Sequence, residues 1–159
     1  MTDATTPAAE LTPTAASTPD AAAVFLTPLA RFFLVVIFLG SGVNKITNTP
    51  GTIEAMTGVG IPAPGLLVYG AIAFLLVGGL SVLLGAWTRI GTALLMIFLA
   101  MATYYFHDFW NAAEDAKQMQ TIAFLKNLAL LGGLLFLFAN GPGPVSIDAW
   151  RATRATHHP

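Results

Sequence analysis

The stretch 64-PGLLVYGAIAFLLVGGLSVLLGA-86 decides the fold, because no charged residue occurs anywhere from 55 to 88. Twenty or so apolar residues at 1.5 Å each match a hydrocarbon layer of roughly 30 Å. A soluble helix of that length would show a polar face, and this one has only Tyr69 and Ser81. The stretch reads as a membrane span.

Working outward, three more blocks of the same kind appear at 28–45, 89–107 and 121–140. Thr27 and Pro28 suit the first turn of the earliest block, and the run Gly141-Pro142-Gly143-Pro144 stops the last. The predicted fold class is therefore all-α: an integral membrane four-helix bundle over 24–148, with a disordered tail at 1–23 and a polar C-terminal tail at 149–159. The tail at 1–23 is Ala, Thr and Pro with Asp3, Glu10 and Asp20. It has no basic region followed by an apolar core, so it does not read as a secretory signal. The segment 47–63 is expected to carry a short interfacial helix through Ile53, Met56 and Val59.

Composition agrees. The 159 residues are 55% hydrophobic and 9% charged, and the mean hydropathy is +0.71. A soluble domain averages roughly 25% charged. Seven basic and eight acidic side chains cannot cover a soluble surface of this size, so the partner is the lipid bilayer. A net charge of −1 gives no footprint for nucleic acid. With no cysteine, disulfides, Cys-ligated metal and thiol chemistry are excluded.

With four spans both termini share one side. That side carries Arg31, Arg89, Arg151 and Arg154, and the opposite side carries Lys45, Lys117 and Lys126. The excess of four over three predicts cytoplasmic termini in a bacterial inner membrane. Arg31 and Arg89 are expected to anchor the inner interface, and Asp148 is a candidate partner for one of them. On the outer side the first span ends with Ser41, Asn44 and Lys45 on one helical face. The third ends with His107, Asp108 and Trp110, and the fourth enters with Lys126 and Asn127. Charges within spans are costly and usually face a bundle interior. Asn44, Lys45, His107, Asp108, Trp110, Lys126 and Asn127 are therefore the seven residues of the candidate ligand-binding set. Two ammonium groups, an imidazole and amides suit a small oxyanion or a quinone carbonyl. The plainer alternatives are lysines snorkelling to headgroups, an interfacial histidine and asparagines bonding between helices. The pairs Gly78-Gly79 and Gly132-Gly133 read as helix packing. No metal site is expected, and a single intramembrane histidine disfavours a bis-histidine haem.

Several of these segments form a pattern. Arg31, Phe38-Leu39-x-Ser41-Gly42-x-Asn44-Lys45, Gly78-Gly79 with Gly85 and Thr88-Arg89, and His107-Asp108-Phe109-Trp110 occur in that order. Lys126-Asn127-Leu128-Ala129-Leu130-Leu131-Gly132-Gly133, Gly141-Pro142-Gly143 and Ser146-x-Asp148 follow. Over 29–148 the chain resembles the DoxX family of small bacterial membrane proteins. That resemblance implies a four-helix membrane protein. It also implies an association with oxidoreductase assemblies, since the family is named for a subunit of a thiosulfate:quinone oxidoreductase complex. Many relatives carry a glutamate where this chain has Leu75; if that carboxylate relays protons in them, this chain lacks the relay.

Three functions remain open at this stage. One is a membrane subunit of an oxidoreductase assembly linked to a quinone or sulfur oxyanion. The chain has no intrinsic cofactor, so any enzymatic role would depend on partner chains. The second is a non-catalytic scaffold or stability factor, with glycine-rich faces compatible with a homodimer. The third is a small-solute pathway.

Overall fold

The computed structural model describes residues 20–155. Among them six helices form and no strand: α1 (Ala21–Thr47), α2 (Thr49–Gly58), α3 (Pro64–Leu84), α4 (Thr88–Phe106), α5 (Glu114–Asn140) and α6 (Ile147–Ala155). Helices α1, α3, α4 and α5 are long and apolar enough to cross a membrane. Residues 1–19 of the expected tail, and His157 and His158, lie outside the described residues.

Two spans run further than their apolar cores. Helix α1 begins at Ala21, where the Asp20 carboxylate accepts a hydrogen bond from the Ala22 amide (3.2 Å). Helix α5 begins at Glu114, seven residues before its apolar block. Glu114 and Asp115 occupy its first turn, where the exposed amides and the helix dipole favour negative charge. Each of these helices has 27 residues, roughly 40 Å, so both project beyond a bilayer core.

The helices alternate in direction, as their contacts require. Along α1, Arg31 lies against Gly85, Leu39 against Gly79 and Gly42 against Leu76, so α3 runs antiparallel to it. Gly91 meets Gly78 and Ser81, which reverses α4 on α3. Thr103 bonds Asn127 and His107 bonds Gln120, which reverses α5 on α4. Helix α3 is the hub, packed against both α1 and α4, whereas α5 leans on α4 and meets α1 only sparsely.

Close approach explains part of the glycine pattern. A methyl group at Gly79 would fall 2.6 Å from Leu39, and one at Gly78 would fall 3.0 Å from the Gly91 carbonyl. Gly133 has Leu34 at 3.1 Å, but Gly132 has nothing within 4 Å and faces open space. Between the helices sits one apolar core: Val35, Phe38, Leu75, Val82, Leu95, Leu99 and Leu134. Leu75 is fully buried in it. The large apolar side chains left outside, such as Phe33, Leu66, Ile90 and Phe136, face where lipid would be.

The α3–α4 turn is three residues long and is tied down by the far end of the chain. Gly85 (φ 65°) and Trp87 (φ 47°) are both left-handed. The Ala86 and Gly85 amides return to the Ser81 and Val82 carbonyls and close α3. The N-terminus of α4 is closed by Asp148. One of its oxygens accepts from the Trp87 amide (2.8 Å), and the other accepts from the Thr88 amide (2.9 Å) and hydroxyl (2.8 Å). In return the Asp148 amide donates to the Gly85 carbonyl (2.8 Å). Burial pushes the Asp148 carboxyl up, but the Thr88 and Trp87 bonds and the Arg151 charge outweigh it and hold the group below its ordinary value.

This segment corrects the expectation for Arg31. Its side chain is only 4% exposed, lies beneath Gly85 and Ser146, and donates from Nη2 to the Val145 carbonyl. Among the described residues no carboxylate lies within ion-pair distance of it. It anchors the C-terminal segment to α1 instead of the bundle to headgroups. Arg89 is exposed, as an interfacial anchor should be. Asp148 makes no ion pair within 4.0 Å with either, although its charge acts on Arg31 through space; its direct partner is Arg151, at 4.0 Å.

Candidate functional site

At the end opposite Asp148, α1 and α4 finish while α3 and α5 begin. Between them lies a cavity of about 760 Å³, within the range of small-molecule sites. Four helices build its walls: Phe38 comes from α1, Phe74 from α3, Phe98 from α4 and Leu130 from α5. Helix α2 closes it from above through Gly51, Thr52, Ala55 and Met56. Ile53, Met56 and Val59 were the expected interfacial stripe, and of these Met56 turns in and is buried.

Five of the seven candidate residues line this one cavity: Asn44, Lys45, His107, Lys126 and Asn127. They are held in different ways. The Lys45 ammonium donates to Ser41 Oγ (3.1 Å), one turn back along its own helix, and lies 5.8 Å from the Phe98 ring centroid. It therefore turns toward the bundle and away from the nearer surface, where a snorkelling lysine would go. Asn127 is 7% exposed and donates to Thr103 Oγ1 (2.9 Å), whose hydroxyl in turn donates to the Leu99 carbonyl (2.6 Å). This ties α5 to α4 beside the cavity, the interhelical role weighed for that asparagine. Lys126, its chain neighbour, stands twelve residues into α5, roughly 18 Å from the helix start. Among the described residues neither cavity lysine has a carboxylate within ion-pair distance.

His107 follows α4 immediately, with φ −132°, and its Nδ1 lies 3.0 Å from Gln120 Oε1. This contact fixes the orientation of the imidazole ring by tying Nδ1 to the Gln120 side-chain amide. Gln120 is a partner that sequence reading missed. Its signal would have been the early start of α5, which brings residue 120 alongside the end of α4.

Asp108 and Trp110 do not line this cavity. They border a separate pocket of about 240 Å³ with Val59, Tyr104, Tyr105 and Asn111. Tyr105 lines both spaces. No group of three or more His, Cys, Asp or Glu able to hold a metal occurs among the described residues.

The protein is a multi-pass membrane bundle of four antiparallel spans, with a roofed and largely apolar cavity carrying two lysines at one end. The DoxX family profile matches residues 26–108, and the chain belongs to the DoxX family. It is 33% identical over 129 residues to the inner membrane protein YphA of Escherichia coli K12, covering 80% of this chain and 91% of that protein. It is 34% identical over 120 residues to the inner membrane protein YqjF of the same organism, covering 76% and 87%. A Surfeit locus protein 4 homolog from Schizosaccharomyces pombe is 29% identical over 69 residues, 42% of this chain and 23% of that protein. No solved structure matches. Two relatives named as inner membrane proteins, together with four apolar helices, support a multi-pass protein of a bacterial inner membrane.

Proposed function

We propose that this DoxX protein is the membrane subunit of an oxidoreductase assembly and that its roofed cavity holds a quinone. The observation that carries this reading is the convergence of Lys45, Lys126, His107, Asn44 and Asn127 on one cavity whose other walls are apolar and aromatic. A quinone needs both features: flat apolar walls for its ring and tail, and donors for its carbonyl oxygens. A cation within about 4 Å of a developing negative oxygen stabilises it by about 4 kcal/mol at the effective dielectric of a protein surface. The sparse α1–α5 contact leaves a lateral approach from the lipid. His107, held through Nδ1 by Gln120, lines the cavity, where its imidazole can carry a proton to the oxygen as the carbonyl is reduced. The electrons come from a redox centre on a partner chain, because this chain has no cysteine and no metal cluster among its described residues. A small sulfur oxyanion satisfies the lysines equally but makes no use of the aromatic walls, so the quinone is preferred. The arginine end then faces the cytoplasm, in keeping with the basic-residue excess.

Purification in a gentle detergent, followed by an absorption spectrum and mass spectrometry, tests this. Quinone should copurify with the wild type and be lost from the Lys45→Met, Lys126→Met double variant. Retention of quinone at wild-type levels would remove the cavity from the mechanism. The close glycine contacts favour a second reading, a scaffold whose interior serves packing alone. In that case the double variant keeps full function. A solute pathway is disfavoured, because the core from Val35 to Leu134 fills the bundle between the cavity and the arginine end.

A further inference from the structure

We propose that the smaller pocket, bordered by Asp108, Tyr104, Tyr105 and Trp110, is a binding site for an organic ammonium group. The argument begins with its walls. Three are aromatic, and the ring of an aromatic residue carries a negative face that attracts a cation lodged against it. The fourth chemical element is a carboxylate. Asp108 accepts a hydrogen bond from Asn111 Nδ2 (3.2 Å), and among the described residues no lysine or arginine lies within ion-pair distance of it. The carboxylate therefore has an unspent charge at the edge of an aromatic recess.

The pocket is held in shape before any ligand arrives. The Tyr104 and Tyr105 rings meet edge to face, 5.1 Å apart at 85°, so two walls stand nearly at right angles. Trp110 is braced by Phe109 (5.2 Å) and Phe124 (6.2 Å). Phe109 and Phe124 also contact one another at 5.1 Å, so a loop residue is fastened to α5 by an aromatic cluster. Pre-organised walls reduce the ordering cost of binding.

Other ligand classes fit less well. A calcium or magnesium ion needs six or more oxygen ligands, and the side chains of this pocket offer one carboxylate, one amide and two phenol hydroxyls, with both hydroxyls poor metal ligands while protonated. An anion would meet Asp108 directly. A neutral apolar group would bury that carboxylate without compensation. The volume of about 240 Å³ suits a compact head, below the roughly 300–1,000 Å³ of pockets for drug-sized molecules. Tyr104, Tyr105 and Trp110 end a span and begin its outer loop, the level at which aromatic belts meet headgroups. The ammonium can thus come from a phosphatidylethanolamine headgroup or from a soluble amine, and the two share the same recognition.

The test uses the full chain in nonionic detergent and tetramethylammonium chloride as the probe, with sodium chloride at equal ionic strength as the reference. Binding is read by calorimetry and by Trp110 fluorescence in a Trp87→Phe, Trp150→Phe background. Asp108→Asn keeps the side-chain shape and should weaken binding about tenfold, or 1.4 kcal/mol. Trp110→Leu should weaken it about fivefold. Tyr104→Phe keeps the ring face and should bind as the wild type does, which separates loss of the cage from loss of the fold. No heat above the sodium reference, or unchanged affinity in Asp108→Asn with its helicity intact, overturns the proposal. Repeating the titration in nanodiscs separates the sources. In discs of equal phosphatidylglycerol content, weaker probe binding when the remaining lipid is phosphatidylethanolamine than when it is a neutral glycolipid assigns the site to the lipid headgroup, and equal affinity assigns it to a soluble amine.

Discussion

Replacing Asp148 with Ala removes the acceptor for three donors at the start of α4, and the structure allows the cost to be divided. Trp87 is exposed, so water can take over its amide and the loss there is about 1 kcal/mol. Thr88 is 1% exposed, so its amide and hydroxyl are left buried without a partner, at about 1–3 kcal/mol each. The total is about 3–7 kcal/mol, above the roughly 0.5–2 kcal/mol of an ordinary helix cap. Asp148→Asn keeps one oxygen but turns an NH₂ group toward donors the second oxygen served, so it should lose about half as much. Unfolding by added sodium dodecyl sulfate in mixed micelles, followed by far-UV circular dichroism, gives both values. The pH dependence supplies a second reading. The folded-state pKa of Asp148 lies below its ordinary value of 3.8. Its stabilisation is therefore complete above that value and is lost as pH falls through the lower, folded-state pKa. The stability difference between wild type and Asp148→Asn should be constant from neutral pH to about 4 and shrink below it. A loss under about 0.5 kcal/mol for Asp148→Ala, or a difference that grows in acid, refutes the capping argument.

Gly85→Ala should destabilise by about 2 kcal/mol or more. Residue 85 has φ 65°, and the new methyl would fall 2.0 Å from Arg31 Nη1 and 2.4 Å from Ser146 Cβ. Gly79→Leu should lower the yield of folded protein in size-exclusion chromatography, whereas Gly132→Leu should leave it within error, since nothing lies within 4 Å of Gly132. In a double-mutant cycle Asn127→Leu and Thr103→Val should couple by about 1 kcal/mol, reporting the α4–α5 hydrogen bond. Additive effects would mean that the bond contributes nothing. Gln120→Ala should leave stability within about 0.5 kcal/mol but alter the imidazole proton resonance of His107, because the contact orients a ring at a part-buried edge.

The spans were legible because charge exclusion over twenty residues is a strong, additive signal that needs no knowledge of neighbours. From α1 to α5 the same signal set the direction of every helix, which is why residues as distant as Lys45 and Lys126 meet at one cavity. What sequence could not provide was the course of a side chain within a helix end. Lys45 and Arg31 look alike in the sequence, each a cation near the limit of a span. One turns inward to Ser41, and the other is covered by a segment more than a hundred positions away. The boundary of α5 was missed because its first two turns are polar, so hydropathy alone starts it at the apolar block and overlooks the charge complementarity of Glu114 and Asp115 with the helix end. That shift also hid Gln120.

The fastening of the α3–α4 turn by Asp148 has a consequence for biogenesis. Residues 87 and 88 leave the ribosome about sixty positions ahead of the group that satisfies their amides. During synthesis the α3–α4 turn therefore stays hydrated until the last segment emerges and docks. A chain cut shortly after Asn140 would keep all four spans yet never close that turn, leaving Arg31 with no carbonyl to cover it. Such a chain would leave the Arg31 guanidinium uncovered at one end of the bundle, even though every bilayer crossing had been made.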